Sequence, residues 1–339
     1  MKIAIVGGGN MGMCLAGVIS RLNHYEVSLY ASRPEEFDNK IKIVDDDLGM
    51  VYQSGNFTTT DNLKCALKNA KVIYCTYPAF LREDFIKKAE ALIQPGTFLG
   101  FIPAYGGAEF FCDDLIRKGV IIFGLQKPPY VCRTKERGRV AGLLSKKNKL
   151  FEAAIPHNKS KEVASLLEDM LQIKTEILPN YMNVTLLPGN PLLHTSGSYY
   201  YLLDYKQGEA FTEQIYYYQS WNDECSRIIF NFSDEMIAIC NALPLDLSGV
   251  QSIQEYYESP IPSDLTKKFH EIPSFYPLKL PMIHTEKGYF PDFDSRFFIE
   301  DIPFGVCIIK ALALMVGVLT PTADNILSWY KKETGKEYF

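Results

Sequence analysis

Two clusters in this chain combine residue types and spacings that could do chemistry. The first is Gly7-Gly8-Gly9-Asn10-Met11-Gly12, which satisfies G-x-G-x-x-G between a β-branched run at residues 2–6 and an apolar, helix-patterned stretch. In such a strand–turn–helix unit the first glycine permits the tight turn and the second lets backbone approach a pyrophosphate. The third seats the helix close to the strand, and the N–H groups opening that helix hold the phosphates. Gly7, Gly9, Asn10, Met11 and Gly12 are therefore expected to bind a dinucleotide; the competing reading is a glycine-rich loop of another α/β domain. The second cluster is the run from Leu187 through Pro188, Gly189, Asn190, Pro191 and His194 to Gly197. A histidine is suited to give a proton to a carbonyl oxygen, or to take one back, during hydride transfer. Asn190, four residues earlier, is a candidate to bond a nicotinamide amide or the backbone around the site. Taken alone, a single histidine is more often structural, so its context must decide.

The elements around these clusters follow from periodicity. Residues 1–180 alternate short β-branched runs (2–6, 26–30, 71–75, 97–102, 120–124, and weaker ones at 139–144 and 149–154) with helical patterns (10–22, 63–69, 82–92, 108–118, 159–171). This predicts an α/β, Rossmann-type dinucleotide-binding domain over 1–184, with a modified second half. Ligands of such sheets lie at the carboxyl ends of the strands. The loops at 31–33, 76–80 (with Tyr77 and Pro78) and 103–107 should therefore face the cofactor. Beyond residue 185 helical periods take over, predicting a mostly α-helical substrate domain over 185–339, and the 187–197 run falls at the junction, where a small-molecule cleft is expected. The stripe Ile215, Tyr218, Trp221, Cys225, Ile228, Phe232, Met236, Ile239 reads as scaffold, in a core or at a homodimer contact. Residues 305–319 read as a buried helix.

The second strand indicates which nicotinamide cofactor is used. NAD-binding units end it with an acid that bonds the ribose 2′-hydroxyl, whereas here it ends Tyr30-Ala31-Ser32-Arg33. Ser32 and Arg33 can grip a 2′-phosphate by charge-assisted hydrogen bonds, so NADP is favoured over NAD. In the alternative, Arg33 begins a solvent loop and Glu35 or Glu36 turns inward to hold the ribose.

Composition narrows the partners. At 339 residues with 47% apolar and 22% charged residues the chain reads as an ordinary globular protein of two domains. A net charge of -5 argues against a nucleic-acid surface or a basic membrane patch and for small-molecule substrates. The eight cysteines are scattered without a C-x-x-C pair and read as reduced core thiols. No export signal or membrane span is expected, so a cytoplasmic location is. Asp45-Asp46-Asp47 reads as a solvated turn, and no metal site is expected.

Asn190-Pro191-x-x-His194 with the following Gly197, together with Arg296-Phe297-Phe298-Ile299-Glu300-Asp301-Ile302-Pro303-Phe304-Gly305, resembles the opine dehydrogenase family, which includes octopine and nopaline dehydrogenases. The likeness spans essentially the whole chain, and the paired motifs are far more specific than the glycines. It implies that His194 is the proton donor and acceptor, that Asp301 bonds its imidazole, and that Arg296 binds substrate. A carboxylate on one ring nitrogen fixes the tautomer and points the other nitrogen at substrate. A guanidinium binds a 2-oxo acid carboxylate bidentately. The bland readings are that Arg296 pairs with Asp292 or Asp294, and that Asp301 caps the helix near Pro303. The implied reaction is reductive condensation, with NAD(P)H, of a 2-oxo acid such as pyruvate with the amine of an amino acid, giving an N-(1-carboxyalkyl) amino acid. Amine selection is expected from the helical domain and from residues 130–133. Two other readings compete: a simple reductase resembling ketopantoate reductase or glycerol-3-phosphate dehydrogenase, which would use a lysine acid, and an NADP sensor without turnover.

Overall fold

The computed structural model describes residues 1–187 and 189–339, so Pro188 of the junction run lies outside the described residues. The chain falls into two compact units, Met1–Thr185 and Leu186–Phe339.

The first unit contains twelve strands: β1 Lys2–Val6, β2 Glu26–Tyr30, β3 Lys42–Asp45, β4 Met50–Gln53, β5 Thr58–Thr60, β6 Val72–Cys75, β7 Phe98–Phe101, β8 Ile121–Leu125, β9 Tyr130–Glu136, β10 Val140–Lys146, β11 Lys149–Ile155 and β12 Lys174–Ile177. Eight of them form one sheet in the order β12-β11-β8-β7-β6-β1-β2-β5. It is parallel from β5 to β8, and β11 joins antiparallel to β8. β6, β7 and β8 are buried throughout and β1 nearly so, as expected for strands covered on both faces. The strand order turns about β1, between β2 and β6, and this switch point is where a Rossmann sheet opens a crevice for its ligand.

A second sheet, β4-β3-β10-β9, was not anticipated, nor was β5. These strands alternate inward apolar with outward polar residues, and β4 is largely exposed, so their sequence lacks the continuous apolar run of the central strands. The expectation that residues 130–133 select the amine is corrected in part: Tyr130 and Cys132 face the core at 3% and 4% exposure, because β9 alternates its side chains across the small sheet.

The second unit is mostly helical, with principal helices Asn190–Leu202, Asp223–Ala242, Pro262–Glu271, Cys307–Val316 and Pro321–Thr334. The aromatic stripe does not run along one helix. Asn222 caps the helix that starts at Asp223 by accepting from the Cys225 amide (3.0 Å), so residues 215–221 precede it. Tyr217, Tyr218, Trp221, Phe232 and Phe269 are all buried within this unit. The helix expected over 305–319 begins as a π-turn, Ile302–Val306, and is buried on one side only. Leu314, Met315 and Leu319 stand 60%, 78% and 87% exposed, because the helix lies on the core by its Ile309 and Leu312 face. Seven cysteines are buried and Cys65 is exposed, all as free thiols. Among the described residues no helix is long and apolar enough to cross a membrane.

Candidate functional site

The glycine turn has the geometry its sequence requires. Gly7 follows β1 with φ +112°, a region that disfavours side chains. A Cβ on Gly12 would stand 1.7 Å from the Gly7 carbonyl oxygen, so this glycine is what lets the helix Asn10–Ile19 sit against the strand end. A Cβ on Gly9 would meet nothing within 4 Å, and no side chain caps the helix that Gly9 precedes. Open space over exposed backbone at an uncapped helix start fits a pyrophosphate. Met11 is half-buried against the core, and the Asn10 side chain accepts from the Thr134 amide (2.8 Å), which ties the helix start to β9.

The neighbouring loops are anchored. Tyr77 and Pro78 are half-buried after β6, and the Tyr77 ring is 3.2 Å from where a Gly7 Cβ would lie. Arg82, only 1% exposed, is a residue the motifs did not reveal. Its guanidinium donates to the carbonyls of Tyr77 (3.0 Å), Tyr105 (2.5 Å) and Pro103 (2.8 Å). One buried cation thus fastens the loops after β6 and β7 together. Ser32 and Arg33 are exposed beyond β2, and Arg33 pairs with Glu36 at 2.6 Å.

In the second unit, His194 lies on the fifth residue of the helix Asn190–Leu202, and its Nδ1 is 2.8 Å from Asp301 Oδ2. Their side chains are 15% and 3% exposed. Asp301 precedes the π-turn but makes no side-chain cap, so the capping reading is not what the structure holds. Burial pushes the Asp301 carboxyl above its ordinary range, and the His194 hydrogen bond and charge pull it back down. Oδ1 has no partner among the described residues. The ring is fixed from its face as well: Phe297 stacks on it at 3.6 Å and 6°.

Two glycines of the resembling motifs explain why these side chains meet. A Cβ on Gly305 would stand 2.4 Å from Pro191 Cβ. The π-turn therefore packs directly on the first turn of the histidine helix, one turn from both His194 and Asp301. A Cβ on Gly197 would strike the Tyr217 hydroxyl at 2.4 Å. That hydroxyl donates to the Leu193 (2.9 Å) and His194 (2.7 Å) carbonyls. Tyr217 carries no spacing signal of its own; Gly197, which makes room for its hydroxyl, was the readable trace, and Phe297 lies within the second motif without a role assigned from sequence.

Arg296 pairs with Glu300 on the next turn, Nη2–Oε2 at 2.5 Å and Nε–Oε2 at 2.7 Å. Glu300 is 2% exposed while Arg296 remains 63% exposed, so a buried acid sets the plane of an open guanidinium. Asn190 opens its helix and is exposed, with no side-chain hydrogen bond recorded among the described residues.

The fold and the helical unit have counterparts among known proteins. The family described as NAD/NADP octopine/nopaline dehydrogenase, alpha-helical domain, matches residues 177–334. An opine dehydrogenase of Haliotis discus hannai is 28% identical, over 99% of this chain and 91% of that protein. A solved octopine dehydrogenase with NADH and L-arginine superposes with a TM-score of 0.87 at 24% identity, covering 100% of this chain and 91% of that one. A yersinopine dehydrogenase with NADP+ bound shares the fold at a TM-score of 0.73 and 13% identity, over 98% and 90% of the two chains. The helical unit thus carries the octopine/nopaline dehydrogenase alpha-helical domain, the chain is similar along its whole length to opine and octopine dehydrogenases, and it is an NAD(P)-dependent oxidoreductase acting on CH–NH groups.

Proposed function

We propose that His194, Asp301 and Arg296 carry out the reductive condensation of a 2-oxo acid, such as pyruvate, with the amine of an amino acid. The nicotinamide dinucleotide, when bound, supplies the hydride. The observation that carries this reading is the 2.8 Å contact of His194 with a buried carboxylate, which leaves the other ring nitrogen for substrate. His194 protonates the oxygen that leaves as water when the amine has added to the carbonyl, and Asp301 stabilises the imidazolium before and holds the tautomer afterwards. Arg296, oriented by Glu300, receives the carboxylate of the oxo acid. A lysine acid of the simple-reductase type has no counterpart in this cluster, and a sensor has no use for a buried imidazole–carboxylate pair.

At the dinucleotide end, Gly7, Gly9, Asn10, Met11 and Gly12 hold the pyrophosphate, Tyr77 and Pro78 border it, and Ser32 with Arg33 favours NADP over NAD. Relatives of this fold include one with NADH and one with NADP+, so the preference rests on Arg33 rather than on the likeness. The test follows NADPH absorbance with pyruvate plus pools of amino acids. Oxidation that requires both partners is expected. Oxidation with the oxo acid alone would instead identify a simple reductase, and binding without oxidation a sensor.

A further inference from the structure

Arg137 belongs to none of the motifs above. It lies at the tip of the β9–β10 hairpin, beside Gly138 with φ +68°. This tip is pressed on the loop after β2: a Cβ on Gly138 would stand 1.8 Å from the Glu36 carbonyl oxygen and 2.7 Å from Phe37 Cα. The Asp38 amide donates to the Gly138 carbonyl at 3.1 Å. The close approach brings Arg137 Nε onto the Glu36 carboxylate at Oε2, while Arg33 Nη1 takes Oε1 at 2.6 Å. The Arg137 guanidinium also stands 5.6 Å over the Phe37 ring, and Cζ of that ring is 2.8 Å from where a Gly8 Cβ would lie. One aromatic ring separates Arg137 from the middle of the glycine turn.

Two guanidiniums therefore share one carboxylate beside the end of the second strand, the place where the adenosine ribose of a bound dinucleotide lies. The nearby Arg139 is engaged elsewhere, with Asp38 (3.5 Å) and Glu136 (3.1 Å). The side chains of Arg33, Arg137 and Glu36 are 59%, 41% and 27% exposed, and ion pairs this open to water are weakly held. A phosphate monoester carries nearly two charges and three acceptor oxygens, which suits two guanidinium forks better than one carboxylate does. We propose that Arg137 is a specificity-determining residue that receives the cofactor's 2′-phosphate together with Arg33, and that Glu36 is the internal anion which the phosphate displaces. This rests on the NADP preference proposed above.

Equilibrium binding separates the two claims. Wild type, Arg33→Ala, Arg137→Ala, Arg137→Lys and Glu36→Gln are titrated with NADPH and NADH by fluorescence. The same proteins are titrated with adenosine 2′,5′-bisphosphate and 5′-AMP by calorimetry. Arg137→Ala should weaken NADPH and the bisphosphate about 10-fold and leave NADH and 5′-AMP within about 2-fold, with Arg137→Lys in between. Glu36→Gln should tighten NADPH and leave NADH unchanged. If Arg33→Ala loses NADPH while Arg137→Ala binds it like wild type, Arg137 is overturned and the NADP preference stands. An equal loss of NADPH and NADH in Arg137→Ala would also overturn the assignment, leaving Arg137 as a prop for Phe37. Wild-type protein that binds NADH more tightly than NADPH, and 5′-AMP as tightly as the bisphosphate, would overturn the NADP preference itself.

Discussion

The glycine turn and the imidazole–carboxylate pair are built by opposite means. The turn is six consecutive residues whose function is carried by backbone, and its geometry follows from what glycine lacks at Gly7, Gly9 and Gly12. The pair joins side chains 107 positions apart on two helical segments that pack without an intervening methyl group at Gly305. A local motif specifies its own shape, whereas a long-range one is specified by the packing that supports it. Damage to either should therefore show up in different measurements.

The largest effect that tests this contrast is the loss of the proposed acid–base group. His194→Ala should lower turnover by about 10²- to 10⁴-fold while NADPH still titrates normally. An enzyme that remains active would remove the imidazole from the reaction. Next comes a pair of substitutions that add one methyl to each region. Gly305→Ala meets Pro191 at 2.4 Å and should lower kcat about 10-fold or more, through misplacement of Asp301, with NADPH affinity unchanged. Gly12→Ala meets a carbonyl oxygen at 1.7 Å and should instead abolish NADPH binding. If both substitutions depressed binding alike, the contrast between the two regions would collapse.

The smallest effect concerns the sheet that carries the turn. Glu152 is fully buried in β11, and burial pushes its pKa up to about 8. A carboxyl whose folded value lies above its unfolded one keeps its proton in the fold, so its contribution to stability is present in acid and is lost as pH rises through about 8. Glu152→Gln should thus stabilise the protein by about 1–3 kcal/mol at pH 9 relative to wild type, with the gain fading towards pH 5. Thermal melts across that range read it. A gain of equal size at every pH would show that the carboxyl does not titrate as described.

Legibility in the sequence followed the same division. β1, β6, β7 and β8 announced themselves as β-branched runs because they are covered on both faces. β3, β4, β5 and β9 did not, since half-exposed strands carry polar residues that periodicity over so few positions cannot separate from loops. The aromatic stripe was continuous in period but broken in fact, because Asn222 starts a new helix in the middle of it. His194 was readable as a candidate from its chemistry and its place at the junction, whereas Asp301 and Arg296 were reachable only through the resemblance of two motifs. Nothing in spacing predicts that Glu300 takes Arg296, or that Arg82 fastens two loops by their carbonyls.

Phe297 lies flat on the His194 ring while Asp301 grips its edge, and both come from one short stretch after Arg296. A ring clamped on a face and an edge is denied the half-rotation that would exchange its two nitrogens. In the proposed role its charge would alternate through each cycle while its bearing stays constant, and a proton would be regained at the same nitrogen that gave it up.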